Sequence, residues 1–205
     1  MLKVDALVCQ RGGRRLFENL SFVVGPGELV HVQGVNGSGK TSLLRILTGL
    51  SMPDAGEVRW MELDIRQSRD SYVAHLLYLG HHPAVKDDLS VEENLQVSSR
   101  LAGVDPAAVD IGNALEATGL KNRAKLPARV LSQGQRRRLA LARLWLDRRM
   151  LWVLDEPFTA LDVHATRLLE HRMEQHLSEG GMVVLTSHQQ PLIAERYLRT
   201  LSIGA

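Results

Sequence analysis

Gly34-Val35-Asn36-Gly37-Ser38-Gly39-Lys40-Thr41 is the stretch that decides the fold. It fits G-x-x-x-x-G-K-[ST], a loop whose backbone N–H groups wrap the phosphates of a nucleotide. The residues before it, 27–33, are β-branched enough for a strand, and Ser42 to Leu47 have helical apolar spacing with a stop at Gly49. Strand, loop and helix come in the order the motif needs. The glycines let the backbone approach an anion, and the helix N-terminus offers unpaired N–H donors and a positive dipole end. Lys40 adds a point charge and Thr41 a hydroxyl for Mg²⁺.

Around that loop the chain has 205 residues, enough for one sizeable core with an inserted subdomain but not for two large domains. A hydrophobic content of 44% with 23% charge is that of an ordinary globular fold and argues against disorder. With 25 basic and 23 acidic residues, the net charge of +2 is too balanced to indicate nucleic acid. Arg136-Arg137-Arg138 reads as a solvated helix face. Cys9 is the single cysteine, so no internal disulfide forms and a reducing compartment, the cytoplasm, is expected. Residues 1–5 lack the apolar core of a signal peptide, and no 18 apolar residues run together. The expectation is a chain that does not span a membrane and acts at one only by docking on a partner.

Val4 to Cys9 and Ser21 to Val24 read as short strands separated by a turn-rich, basic segment over 10–15. Pro53 to Gly56 is a turn, Glu57 to Trp60 an edge strand, and Leu76 to Leu79 a buried strand emptying into Gly80-His81-His82-Pro83. From Leu89 the character is helical. Ser90-x-x-Glu93 is a capping box, and Asp110 to Thr118 is a helix stopped by Gly119. A further helix starts at Leu131-Ser132-Gln133-Gly134-Gln135 and carries Leu139, Ala142 and Trp145 at spacings of three. Leu151 to Leu154 and Met182 to Leu185 are continuous apolar runs, the mark of parallel strands covered on both faces. The pattern predicts one α/β domain, with a core over 1–86 and 146–205 and a helical subdomain over 87–145.

Asp155-Glu156 and Ser187-His188 follow those apolar runs, at strand ends where open parallel sheets bind ligands. Asp155 would orient the waters of Mg²⁺ and Glu156 would polarise the water attacking a γ-phosphate, since phosphoryl transfer needs metal and water positioned together. The plain alternative is two strand-end carboxylates. Ser132-x-x-Gln135 is either a well-capped helix start or a second anion site made of a hydroxyl, Gly134 and free N–H groups. One loop already holds the phosphates, so a second site makes sense if it meets the nucleotide of another subunit. His188 alone would read as a satisfied histidine at a strand end.

Taken together, Gly34 to Thr41, Leu131 to Gln135, Leu154-Asp155-Glu156-Pro157, Thr159-Ala160-Leu161-Asp162 and His188 resemble, in order and spacing, an ABC-type ATPase over almost the whole chain. The resemblance implies a P-loop NTPase fold, an ABC-type nucleotide-binding domain with a mixed-sheet core and helical insert. It also implies a head-to-tail dimer that sandwiches two ATP molecules. Ser132, Gln133, Gly134 and Gln135 of one copy would complete the site built on Lys40 of the other, Asp162 would sit at the dimer seam, and His188 would hold the γ-phosphate and Glu156. Thr41 and, through water, Asp155 would hold Mg²⁺.

Three positions depart from the family pattern, the mildest being Gln133, which stands where the signature usually has Gly and is tolerated if its side chain points away from the phosphate. The aromatic residue that usually stacks on adenine is Arg11 here, whose planar guanidinium could stack instead, with Phe17 the other candidate. The glutamine near Mg²⁺ that contacts the transporter is His81, and imidazole is a poor ligand for a hard cation. Stretches outside the motifs, among them Arg69-Asp70-Ser71-Tyr72, Leu79-Gly80-His81 and Ala140 to Leu146, resemble the ATP-binding subunits of haem exporters in bacterial cytochrome c biogenesis. That likeness implies membrane partners similar to CcmB and CcmC, with CcmD, a functional link to the haem chaperone CcmE, and a peripheral place on the cytoplasmic face of the inner membrane. Another ABC exporter with different cargo, or a non-transport mechanochemical ATPase, would share the motifs.

Overall fold

The chain opens with a hairpin of β1 (Leu2–Arg11) and β2 (Arg14–Val24). In the computed structural model, which describes residues 1–204, the two strands are joined by Gly12-Gly13, both at positive φ, the turn whose twist matches that of the strands. Within the basic segment over 10–15 only Gly12-Gly13 is turn, and the strands reach further than expected: Gln10 pairs with Arg15 and Arg11 with Arg14. Leu2 and Val4 face the core, then Leu7 and Cys9 do. The alternation slips at Ala6, whose φ of 46° marks a bulge.

β3 (Leu29–Gln33) leads into α1 (Lys40–Leu47), which buries Leu43, Leu44, Ile46 and Leu47. β4 (Ala55–Trp60) and β5 (Leu63–Asp64) follow, and with the hairpin they make an antiparallel sheet of order β2-β1-β4-β5. The short α2 (Arg69–Ala74) is tied to the end of α1 by Tyr72, whose hydroxyl donates to Leu47 O at 2.6 Å. The second sheet joins β3 to β6 (Leu76–Leu79), β7 (Leu151–Asp155), β8 (Met182–Thr186) and β9 (Leu198–Ser202), in the order β6-β7-β8-β3-β9. β3 runs parallel to β8 and β9, and β7 parallel to β8. β7 and β8 are buried along their whole length, as their apolar runs predict. Thr186 pairs with Val32 on one side and Asp155 on the other, so the C-terminal ends of β3, β8 and β7 lie in a row.

The helical elements are α3 (Val91–Leu101), α4 (Ala108–Ala117), α5 (Gln133–Leu141) and α6 (Val163–Ser178). The capping box at Ser90 is present: Glu93 N donates to Ser90 Oγ at 3.3 Å and Ser90 N to Glu93 Oε2 at 2.7 Å. α5 stops at Leu141, and its continuation Ala142–Trp145 tightens to a 3₁₀ turn, so the single helix expected to reach Trp145 is two pieces. α2, α6, β5 and β9 have no counterpart in the sequence reading.

The chain divides into two compact units. The first comprises residues 1–78, 149–156 and those from 173, and its core joins Val30, Val32, Val153 and Val184 of the parallel sheet to α1 and the hairpin. The second comprises 79–148 and 157–172, with Leu95, Ile111, Leu115 and Leu139 at its centre. No helix among the described residues is long and apolar enough to cross a membrane.

Candidate nucleotide site

In the first unit the eight motif residues connect β3 to α1, and α1 starts at Lys40 on an N-cap, Gly39, that offers no side-chain hydrogen bond. The first N–H groups of α1 are left for another acceptor, the condition for an anion site. Gly39 has φ of 101°, and a Cβ there would lie 2.9 Å from Leu16 Cβ and 3.2 Å from Phe17 Cδ1, so no side chain fits. β2 therefore backs the loop. Lys40 Nζ donates to Gly34 O at 2.7 Å and Val35 O at 3.2 Å, closing the loop on its own carbonyls. Val35, Asn36 and Gly37 are exposed, whereas Ser38 is buried with its Oγ unpartnered.

Thr41 Oγ1 is 3.5 Å from Asp155 Oδ1. Both are hard oxygen donors, the class that Mg²⁺ prefers, and the set fits that ion. The next residue, Glu156, has φ of 50°, a left-handed conformation that costs a non-glycine residue about 1–3 kcal/mol and persists where surroundings fix it. Here Glu156 N donates to Thr186 O at 3.2 Å and to Thr186 Oγ1 at 3.0 Å. The twist turns the carboxylate toward the end of β8, where Glu156 Oε1 is 3.6 Å from His188 Nε2. Glu156 is 13% exposed and His188 65%, so one side of the pair is held and the other is open to solvent.

His31 on β3 is buried beneath this edge, with Nε2 3.1 Å from Ser187 O and Nδ1 3.2 Å from Gln33 Nε2. A neutral ring donating from Nε2 and accepting at Nδ1 satisfies both partners. Burial pushes its pKa down, against the upward pull of the Ser187 carbonyl and the Glu156 charge. Arg11 lies at the hairpin tip, where its guanidinium donates to Gln10 O at 2.9 Å and Met52 O at 3.5 Å and stands 3.9 Å from Asp54.

In the second unit, Ser132 caps α5. Its Oγ accepts from Gln135 N at 3.3 Å while Gln135 Oε1 accepts from Ser132 N at 3.0 Å. The hydroxyl proton is thereby left to donate outward. Gln133 is the first residue of α5. A Cβ on Gly134 would sit 2.7 Å from Ala160 O, so the helix start approaches residues 157–162 more closely than a side chain allows. Asp162 Oδ1 accepts from Ala165 N at 2.8 Å, capping α6. His81 and His82 are exposed, with their rings edge to face at 5.0 Å.

A family model described as ABC transporter matches residues 17–159. The chain belongs to the ABC transporter family. The cytochrome c biogenesis ATP-binding export protein CcmA of Nitrosomonas europaea is 55% identical over 190 residues, covering 93% of this chain and 89% of that protein. The protein of the same name from Escherichia coli K12 is 48% identical over 203 residues, covering 99% and 96%. Among solved structures, an ATP-binding subunit of an ABC transporter has a TM-score of 0.85 at 25% identity, covering all of this chain and 88% of that one. An ABC transporter ATP-binding protein from Pyrococcus furiosus has a TM-score of 0.84 at 26% identity, covering 98% and 96%. The mixed α/β architecture is thus that of the family's nucleotide-binding subunits.

Three residues of this family member escaped the sequence reading. Thr186 and His31 sit inside apolar strands, where single polar letters carry no periodic signal. Arg137, read as solvated with its neighbours, is 4% exposed. Its guanidinium donates to Gly80 O at 3.0 Å, His81 O at 3.3 Å and Pro157 O at 3.4 Å. The middle arginine of the run is structural wiring; Arg136, beside it, pairs at the surface with Asp87.

Proposed function

We propose that this chain is the ATP-hydrolysing subunit of a membrane export complex in cytochrome c biogenesis, with residues 1–205 acting as one ATPase domain. The observation that carries the reading is its likeness along 99% of its length to the Escherichia coli export protein of that name.

In this reading the N–H groups of residues 34–41 and Lys40 bind the ATP phosphates, and Arg11 lies against the base. Thr41 would hold Mg²⁺ directly and Asp155 would hold it through water, and the ion would supply charge neutralisation at the phosphates. Glu156 accepts a hydrogen bond from the attacking water, whose oxygen bonds to the γ-phosphorus as the bond to the bridging oxygen breaks, giving ADP and phosphate. His188 keeps Glu156 oriented and faces the γ-phosphate. A second copy of the chain contributes Ser132, Gln133, Gly134 and Gln135 to the same nucleotide, Ser132 through its free hydroxyl proton, and Asp162 lies at the seam between copies. His81 faces the membrane subunits, similar to CcmB and CcmC with CcmD, and turnover serves haem export or the release of the haem-loaded chaperone CcmE. The complex sits on the cytoplasmic face of the inner membrane, which this chain touches through partners.

Replacing Lys40 with Ala in the source organism is expected to abolish covalent haem in its c-type cytochromes, scored by haem staining of gels. Normal cytochromes would remove the cargo assignment and point to an exporter of another substrate.

A further inference from the structure

Thr186 is the last residue of β8, fully buried, and follows Val183, Val184 and Leu185 in an apolar strand. A valine would have the same shape and suit the strand as well. Its hydroxyl is nevertheless placed between two functional carboxylate residues, with Oγ1 2.8 Å from Asp155 Oδ1 and 3.0 Å from Glu156 N. As a carboxylate Asp155 can only accept, and the Glu156 N–H can only donate, so the hydroxyl must give its proton to Asp155 and offer a lone pair to Glu156. Its direction is fixed from both ends. The Asp155 oxygen it holds is the one Thr41 approaches at 3.5 Å, and the Glu156 amide it holds belongs to the residue twisted to φ 50°.

We propose that Thr186 is a positioning residue that, through one shared hydroxyl, sets the spacing between the metal-side carboxylate of Asp155 and the water-polarising carboxylate of Glu156. This rests on the roles given to those two residues above. The hydroxyl is fully buried, with its two hydrogen bonds spent on Asp155 and Glu156. It acts by holding an oxygen of one group and the backbone turn of the other, so a shift at either strand end is felt at both.

Thr186→Val removes the hydroxyl at constant shape and Thr186→Ser keeps it. ATP hydrolysis by the 205-residue chain is expected to fall about tenfold to a hundredfold in kcat for Thr186→Val, the cost of a small misplacement at a reacting centre. KM for ATP should stay within about twofold, the half-saturating Mg²⁺ concentration should rise, and Thr186→Ser should recover most of the rate. If Thr186→Val does not fold, Thr186→Cys, with a weak S–H donor, takes its place with the same expectation. On a Glu156→Gln background, where only the Asp155 arm of the contact still matters, Thr186→Val should lower the residual kcat by a smaller factor than in the native chain. Unchanged kcat in folded Thr186→Val, or a Ser variant as slow as the Val variant, would overturn the inference while Glu156→Gln remains inactive. Normal turnover by Glu156→Gln would instead overturn the underlying site assignment.

Discussion

Arg137 and Arg136 are neighbours with opposite energetics. Arg137 serves three carbonyls from a buried position, so Arg137→Ala should lower stability by about 1–3 kcal/mol, the cost of leaving buried acceptors unmet. Arg136→Ala gives up an ion pair with the exposed Asp87 and a long hydrogen bond to Leu131 O at 3.4 Å, and should cost about 1 kcal/mol or less. Urea unfolding midpoints of the two variants check this, and equal losses would contradict it. His31 gives a pH signature. Its imidazole is held below the ordinary value of about 6.5 by burial. The unfolded chain therefore takes up a proton near that value before the folded one does, and stability present above it is lost as pH falls toward the lowered folded value. His31→Gln should flatten the dependence of the urea midpoint on pH over that window; identical slopes would show that His31 does not titrate there. None of this was legible from single letters. Arginine in a basic run and histidine in a strand look alike whether buried or exposed, until neighbours from distant segments arrive.

The elements divide by how local their causes are. The helix at Ser90 was legible because its capping box lies within four residues, and the loop at 34–41 because its strand, glycines and helix are contiguous. α6 was missed although Ala165, Leu169, Met173 and Leu177 recur every four residues and are all buried; the charged residues between them dilute the stripe. β9 escaped because most of it is exposed and it gains its place only by pairing with β3. Glu156 and His188 could be put at strand ends from sequence. Their approach was expected from the family resemblance alone; residue spacing does not give it, since the 3.6 Å separation depends on β7 lying beside β8 and on the backbone twist at 156. At this scale α5 makes its own test. Ser132→Ala removes the N-cap acceptor and should cost about 1 kcal/mol, read as a lowered thermal midpoint. If capping were the residue's whole task, Ser132→Asp, an equally good cap with no hydrogen to donate, would keep full hydrolysis; the proposed donation to a second copy's nucleotide predicts reduced turnover with stability retained.

For the whole molecule, the proposed sandwich makes each active site the property of two chains. Ser132→Arg and Lys40→Ala chains should each be inactive alone, the first still binding ATP. Mixed, they should regain part of the hydrolysis, because the loop of one and the α5 start of the other rebuild one intact site. Absence of rescue at concentrations where the native chain is fully active would show that the site is complete within one copy.

Cys9 lies on β1 with its side chain in the core, where burial pushes the thiol's pKa up, and the chain has no other sulfhydryl. A thiol-reactive dye therefore has a single target, reached only while β1 is lifted. The ratio of labelling rates in the native and unfolded chains reads out how often that strand opens, a stopwatch wired into the hairpin. Leu16 and Phe17 on the partner strand press against Gly39, so ATP that stiffens the loop should slow the stopwatch, turning one buried sulfur into a gauge of nucleotide occupancy.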